Sequence, residues 1–368
     1  MNNYIRHMFP GANTSMGFYS FFRYILPQDE ARRIVCLKGG PGTGKSSIMK
    51  KLSAYFYSNG YNIEHHHCSS DSESLDAILI KELKIAVLDG TSPHMVDPIT
   101  PGAVDEILNL GQCWNEDGIK NHKVEIMDIA KTLSENYKRI YRYLRSAKEI
   151  HEDWSSFNLQ SMDSNKLLTF KEDLKSKVLK GTDIGVLGKD RHLFATGITP
   201  QGIVTYIESL TNAYENVYVI NGGPGFRKSE TLKYILEESL KRGLYVEVFH
   251  DPFISERIEH LFIPELSTAI VTSNEINKKQ IKGNEIYMEE LCNTKYLNSV
   301  SNEIEYNKTL FYSMVEKALS ILKNNKALHD DLEKFYIQNM YFNKLDSLGN
   351  ELVDKFHKYE KEYKNEIK

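Results

Sequence analysis

The sequence predicts an α/β protein that contains the same domain twice in tandem. The first observation is a glycine-rich octapeptide between an apolar run and a helix-like segment, Gly39-Gly40-Pro41-Gly42-Thr43-Gly44-Lys45-Ser46. The second is its return 183 residues later, with six of the eight positions unchanged, as Gly222-Gly223-Pro224-Gly225-Phe226-Arg227-Lys228-Ser229. The third is the alternation of predicted strands and helices around each octapeptide, which is typical of a parallel sheet flanked by helices.

The first octapeptide has the flanks of a phosphate-binding loop. Residues 33–37 are short, apolar and partly β-branched, which predicts a buried strand. The following residues have helical spacing and stop at Asn59-Gly60, a helix-ending pair. In this context the octapeptide fits G-x-x-x-x-G-K-[ST], the P-loop or Walker A motif, and predicts a P-loop NTPase domain.

A P-loop binds nucleotide phosphates through backbone N–H groups and the start of a helix. We therefore expect ATP or GTP, with Mg²⁺, to contact the loop and the residue after it, namely Gly39, Gly40, Pro41, Gly42, Thr43, Gly44, Lys45, Ser46 and Ser47. Lys45 is expected to reach the β- and γ-phosphates as a catalytic residue, and Ser46 to ligate Mg²⁺. The sequence favours neither adenine nor guanine.

The remaining elements are predicted from periodicity. The segments are short helices around 16–26 and 201–210, strands over 61–67 and 244–250, a helix over 72–83, and a strand over 84–89. The last third of each half is helical, over 122–147 and 165–179, then over 304–322 and 343–363. We interpret these helices as an appendage on each P-loop core.

The repeat extends beyond the octapeptides and sets the domain boundaries. Without a gap, the same offset pairs Gly60 with Gly243, Glu64 with Glu247, and His67 with His250. Near the end of each half, residues 151–153 match residues 329–331. We predict one domain over 1–186 with an intact Walker A motif, and a duplicated domain over 187–368 with a degenerate one.

Asp89 ends an apolar predicted strand and lies 44 residues after Lys45. That is the position of a Walker B aspartate, which holds Mg²⁺ directly or through water; the alternative is a surface aspartate that opens a turn at Gly90. No glutamate follows Asp89, which argues against a fast motor-type ATPase.

Three further groups of residues have alternative interpretations. Asp71 follows the second strand and is either a catalytic base or a helix N-cap, a role that Ser72 could also take. His94 and Asp97 are candidate substrate contacts or plain loop residues. Residues 65–67 are consecutive histidines, but neighbours in a strand point to opposite faces, so we predict no metal site formed by adjacent members.

The second octapeptide departs from the motif. Arg227 replaces the glycine before the lysine, and Phe226 replaces Thr43. We expect this bulk to hinder the close approach of backbone to phosphate. Thr272, at the position of Asp89, carries no carboxylate. The second half is therefore expected to have lost hydrolysis and to keep either a weak anion site through Lys228 and Ser229 or only a structural role. A competing interpretation is that Arg227 reaches the first site as an arginine finger.

Composition restricts the class of protein. The chain of 368 residues is 41% hydrophobic and 26% charged, and its net charge of −4 does not favour nucleic acid as a partner. It contains no apolar run long enough for a membrane span. Four cysteines without CxxC spacing are typical of a reducing compartment, so we expect a cytoplasmic protein.

With its two octapeptides and the repeated Arg-His-[Met/Leu]-Phe openings at residues 6 and 191, the chain resembles a group of largely uncharacterised bacterial tandem P-loop ATPase-like proteins. The resemblance implies nucleotide binding, a duplicated architecture and two intact loops, from which Arg227 departs; it implies no substrate. The leading hypothesis is an Mg²⁺-dependent NTPase. The alternatives are a phosphotransferase acting on a small molecule, with Asp71 or His94 near the acceptor, and a nucleotide-sensing protein with little turnover.

Overall fold

Two six-stranded sheets and a set of helices make up the computed structural model, which describes residues 3–92 and 96–366. The first half contains β1 (Ile5–Met8), β2 (Gly11–Thr14), β3 (Gly17–Ser20), β4 (Arg33–Lys38), α1 (Lys45–Ser58), β5 (Ile63–Cys68), β6 (Asp71–Ile80), β7 (Ile85–Asp89), β8 (Asp105–Asn109), α2 (Glu116–Lys120), α3 (Lys123–Ser161) and α4 (Ser164–Val178). The second contains β9 (Asp190–Leu193), β10 (Thr196–Thr199), β11 (Gly202–Thr205), α5 (Ile207–Thr211), β12 (Asn216–Asn221), α6 (Lys228–Leu240), β13 (Val246–His250), β14 (Ile258–Ile263), β15 (Thr268–Ser273), β16 (Asn284–Tyr287), α7 (Thr294–Ser299), α8 (Ser301–Ile337) and α9 (Phe342–Glu366).

The two large sheets have the same strand order. The first is ordered β1-β5-β6-β7-β4-β8, and the second β9-β13-β14-β15-β12-β16. In each sheet the third strand, β6 or β14, is antiparallel to both neighbours, whereas the other pairs are parallel. The sheets are therefore mixed but mostly parallel, so the prediction of parallel sheets is confirmed only in part. Their common order is compatible with a duplicated domain.

The helix predicted over 72–83 is wrong, because this segment forms β6. Its apolar residues are spaced in a way that also fits a helix face, which explains the error. In the sheet, Ile78 and Ile80 face one core while Ala77 and Leu79 face another. A central strand that is buried on both faces has no polar alternation to distinguish it from a buried helix.

The strands predicted over 61–67, 84–89 and 244–250 are confirmed as β5, β7 and β13. The short helices predicted around 16–26 and 201–210 are wrong over their first part, where the hairpin strands β3 and β11 lie. Among the described residues, an α-helix directly follows the hairpin only in the second half, where α5 comes after β11. All four predicted C-terminal helices are present as α3, α4, α8 and α9, and the two long ones extend beyond their predicted ends.

The two longest helices, α3 and α8, pack along each other. They are antiparallel, since Asn136 bonds to Asn325 while Asp153 bonds to Asn307. Their shared core includes Leu144 and Phe311, both fully buried. At 39 and 37 residues they extend about 55 Å or more. None of the described helices is both long and apolar enough to cross a membrane.

The terminal helices are exchanged between the halves. Leu345, Leu352 and Phe356 of α9 lie in one core with Leu52 of α1, on the first sheet. Conversely, α4 packs with α6 on the second sheet, where three of its apolar residues join that core, Leu167, Leu174 and Val178. Each helical appendage thus covers the other half's sheet, and the interpretation that it packs on its own core was wrong.

Four buried charges join the edges of the two sheets. Arg6 donates to both Glu247 oxygens at 2.8 and 2.6 Å, and Arg191 donates to both Glu64 oxygens at 3.1 and 2.7 Å. All four residues are less than a tenth exposed. Burial by itself raises the pKa of Glu64, but the charge and hydrogen bonds of Arg191 and the charge of Arg6 outweigh it and hold that pKa well below its usual value. We call this set the Arg–Glu ring.

Replacing one arginine of the ring should destabilise the whole chain. Arg6→Met leaves Glu247 buried and incompletely paired, which costs about 3–5 kcal/mol of unfolding free energy. Arg32→Met is the matched control, since Arg32 pairs with Glu362 and Glu366 at the surface and should lose less than about 1 kcal/mol. Chemical denaturation of both variants gives the comparison. Equal losses would contradict the importance assigned to the ring.

Candidate functional site

The first loop, residues 39–46, connects β4 to α1. Gly42 and Gly44 have φ values of 66° and 85°, in the left-handed region that favours glycine. The hydroxyl of Thr43 donates to the Gly40 carbonyl at 2.7 Å and braces the turn. Gly44 is the N-cap of α1, so the helix's unpaired N–H groups lie at the end of the loop.

The side chain of Lys45 folds back over the first loop. Its ammonium donates to the carbonyls of Gly39 at 3.0 Å and Gly40 at 2.6 Å. It also lies 3.5 Å from Oδ2 of Asp89, and the two side chains are only 11% and 14% exposed. The fold therefore brings together the two charged residues on which the sequence argument depended.

Asp89 reaches this position because β7 pairs in parallel with β4, with Asp89 opposite Leu37. Its Oδ1 accepts from the backbone N–H of Thr91 at 2.8 Å and lies 2.5 Å from the Thr91 hydroxyl. That hydroxyl is also 3.0 Å from the Gly39 carbonyl. Sequence reasoning missed Thr91, although a strand-end aspartate commonly accepts from the backbone N–H two residues later in an Asx turn.

Ser46 and Ser47 occupy the first turn of α1. The Ser46 oxygen accepts from the backbone N–H of Leu75 in β6 at 3.0 Å. This contact leaves the hydroxyl proton and a second lone pair for other partners. The side chain of Ser47 is exposed. Together with Asp89, Ser46 offers oxygen atoms of the kind that Mg²⁺ prefers.

Asp71 is neither an N-cap nor a contact of Lys45 among the described interactions. It is the first residue of β6, so the N-cap interpretation of Asp71 and Ser72 was wrong. Its carboxylate accepts from the Glu73 N–H and the Ser74 hydroxyl, and it lies 3.5 Å from Lys326 of α8. The catalytic role proposed for Asp71 stays a prediction.

Of the two other loop candidates, the structure describes only Asp97. Asp97 pairs with Lys38 at 2.8 Å, and the Lys38 ammonium also donates to the Gly90 carbonyl at 2.6 Å. This pair fastens the loop after β7 to the end of β4. His94 lies outside the described residues.

The second half covers the outer side of the first loop. A Cβ added to Gly40 would lie 2.7 Å from the ring of Tyr336, and one on Gly42 would lie 2.9 Å from the carbonyl of Glu333. Both contacts come from the last turns of α8. The glycines of the first loop are therefore required by this packing as well as by their backbone angles.

The second loop, residues 222–229, has the same geometry as the first. Lys228 donates to the carbonyls of Gly222 and Gly223, and the Ser229 oxygen accepts from the Ile258 N–H at 2.9 Å. Arg227 adopts the left-handed φ of 51° that glycine has in the first loop, and its side chain pairs with Glu230. Arg227 therefore leaves the left-handed backbone of the loop in place, and the expectation that its bulk hinders the approach of backbone to phosphate stays a prediction.

A cavity of about 620 Å³ lies against the second loop. Its lining includes Lys228, Arg257 and five acidic residues, of which three are buried, Asp251, Glu259 and Glu275. When the two halves of the sequence are aligned, the residue at the position of Asp89 is Thr272, which is also in the lining. The three buried acidic residues were missed because they lie outside that one aligned position, at the ends of β13, β14 and β15.

An equivalent histidine pair links the first two strands in the order of each sheet, β1 with β5 and β9 with β13. The ring nitrogens of His7 and His67 are 2.9 Å apart, and those of His192 and His250 are 2.8 Å apart. The second nitrogen of His67 bonds to the Ser72 carbonyl. His65, two positions before His67, completes a three-histidine group with nitrogens within 4.8 Å of one another. The repeated hydrogen bonds account for His67 and His250 as structural residues.

Comparison of the chain with protein-family models, with curated proteins and with solved structures finds no match.

Acid should destabilise the protein through these histidines. Burial lowers the pKa of His67 to about 4, so below pH 6.5 the unfolded chain takes up the proton first and stability falls as the pH falls. The expected loss at pH 5 is about 2 kcal/mol for this residue. His67→Gln should reduce the difference in unfolding free energy between pH 7 and pH 5 by that amount, as measured by denaturant titration. An unchanged difference would contradict the assignment.

Proposed function

We propose that this chain is a P-loop protein that binds a Mg²⁺-bound nucleoside triphosphate, ATP or GTP, at the first loop and hydrolyses it. The observation that carries the proposal is the 3.5 Å contact between Lys45 and Asp89. The ammonium comes from the first residue of the 14-residue helix α1, and the carboxylate comes from the end of β7, which pairs in parallel with the strand that leads into the loop. A phosphate group and its metal ion require this combination of charges.

The loop and Lys45 would hold the phosphates. The carbonyls of Gly39 and Gly40 keep the Lys45 ammonium at the loop, where its remaining proton can be donated to a phosphate oxygen. The N–H groups at the start of α1 add unpaired donors and the positive end of the helix dipole. A triphosphate bound there would be oriented by charge-assisted hydrogen bonds.

The oxygen atoms of Ser46 and Asp89 are suitable ligands for Mg²⁺. Ser46 offers its hydroxyl oxygen and Asp89 its Oδ2, and hard oxygen ligands of this kind suit that ion. When bound, Mg²⁺ would neutralise charge on the β- and γ-phosphates. Thr91 keeps the Asp89 carboxylate in place by occupying its other oxygen.

The rate of hydrolysis should be low. Gly90 follows Asp89, so the carboxylate that motor-type enzymes place at this position to activate water is missing. We expect phosphate release without any added acceptor, which separates an NTPase from a phosphotransferase and from a sensor with no turnover.

Lys45→Ala should weaken binding of Mg-ATP or Mg-GTP at the first loop by about 100-fold or more, because a charge-assisted contact to phosphate is lost. Lys51→Ala is the matched control, since it removes an exposed ammonium from the same helix. Titration calorimetry gives the affinities, and circular dichroism checks that each variant is folded.

Asp89→Asn tests the metal role separately. Binding in the presence of Mg²⁺ should fall, while binding in EDTA should change little, because only the first condition uses the carboxylate as a ligand. Wild-type affinity together with an unchanged number of nucleotides bound per chain in Lys45→Ala would overturn the proposed function. Equal losses in both conditions for Asp89→Asn would assign Asp89 to structure instead.

A further inference from the structure

The second loop and its cavity have the features of a built binding site. Lys228 is held by the carbonyls of Gly222 and Gly223, as Lys45 is held in the first loop. Arg227 and Glu230, which pair with each other, lie at the wall of the cavity, so Arg227 adds a positive charge there. A volume of about 620 Å³ is within the usual range for a small-ligand pocket.

Three carboxylates from different strand ends line this cavity. Asp251 follows β13, Glu259 lies in β14, and Glu275 follows β15. They are 7%, 1% and 8% exposed. Burial and the negative charges of Glu259 and Glu275 raise the pKa of Asp251 to about 6, so the three groups are close enough to interact.

The carboxylate of Glu275 is only half satisfied. Its Oε1 lies 2.5 Å from His151 Nε2, whereas Oε2 is buried and has no hydrogen-bond partner among the described residues. Oε2 of Glu259 is also buried without a hydrogen bond, although it lies 3.3 Å from His260 Nε2. Leaving a buried anionic oxygen unpaired costs free energy that a bound cation recovers.

We propose that the cavity at the second loop binds a divalent cation of the Mg²⁺ type together with a polyphosphate chain. The cation is held by Glu275 and Asp251, directly or through water, with Glu259 as a further negative charge. The phosphates are held by the loop N–H groups, Lys228 and the start of α6. A nucleoside triphosphate and inorganic tripolyphosphate are two sources of such a chain.

The mixed lining matches this pair of ligands. Mg²⁺ usually keeps several waters and takes one or two carboxylates plus phosphate oxygens, so the three acidic groups need not converge on a single point. Lys228 and Arg257 supply positive charge in the same cavity. The carboxylates come from positions other than that of Asp89, so Thr272 does not leave the site without metal ligands.

The test uses the full chain with Lys45→Ala and Asp89→Asn, which removes the two charged groups of the first loop. Titration calorimetry with MnCl₂ plus tripolyphosphate, and in parallel with MnCl₂ plus ATP, should give one complex bound per chain. Tighter binding of ATP would identify a nucleoside triphosphate as the source, and equal binding the phosphate chain alone; both support the proposal.

Adding Glu275→Gln, which keeps the size of the side chain, should weaken this binding by about 10- to 100-fold. Asp251→Asn is a second variant in case the first does not fold. Glu256→Gln is the matched control, since Glu256 is exposed and lies outside the cavity lining. No binding by the chain that lacks Lys45 and Asp89, or unchanged binding in folded Glu275→Gln or Asp251→Asn, would overturn the proposal. Either outcome leaves the proposed function of the first loop standing, because the first loop is tested with its own variants.

Discussion

The architecture depends on the Arg–Glu ring at the junction of the two sheets. Each half contributes one arginine and one glutamate, and the shortest bonds run between the halves. Buried ions are stable only when every partner is present, so neither sheet edge is well satisfied alone. Beside the ring, the backbones of Phe9 and Phe194 bond to each other at 2.9 and 3.0 Å. These contacts align β1 with β9, and from this junction the two sheets extend in the same strand order.

Much of the fold could be read from the sequence because the repeat and the glycine-rich loops are local signals. The strands around each loop and the long helices followed from short patterns of apolar residues. The segment of β6 was misread because a strand buried on both faces lacks polar alternation. The exchange of α4 and α9 could not be predicted. The apolar face of an amphipathic helix, such as the one that contains Phe356, shows that the helix packs on an apolar surface but does not show which surface that is.

The candidate site residues likewise include some that the sequence could predict and some that it could not. Lys45 and Asp89 could be placed together because a loop motif and a strand end both lie at one edge of a sheet. Thr91 required knowledge of the turn. In the second half, comparison with the first at a single position drew attention to Thr272, whereas the acidic groups of the cavity come from three chain segments that only the folded sheet assembles. The loop geometry around Arg227 was equally hidden, since a left-handed arginine is rare and sequence rules favour glycine there.

The exchange of the terminal helices determines when each core can be completed while the chain is being synthesised. The first sheet leaves the ribosome early, but the helix that completes its core, with Leu352 and Phe356, is the last described element of the chain. Until α9 emerges, the apolar face of α1 has no final cover. The nascent first half therefore has to persist with exposed apolar surface while the second is made, and such intermediates are the ones that chaperones bind. The second core, by contrast, receives α4 before its own sheet has been synthesised.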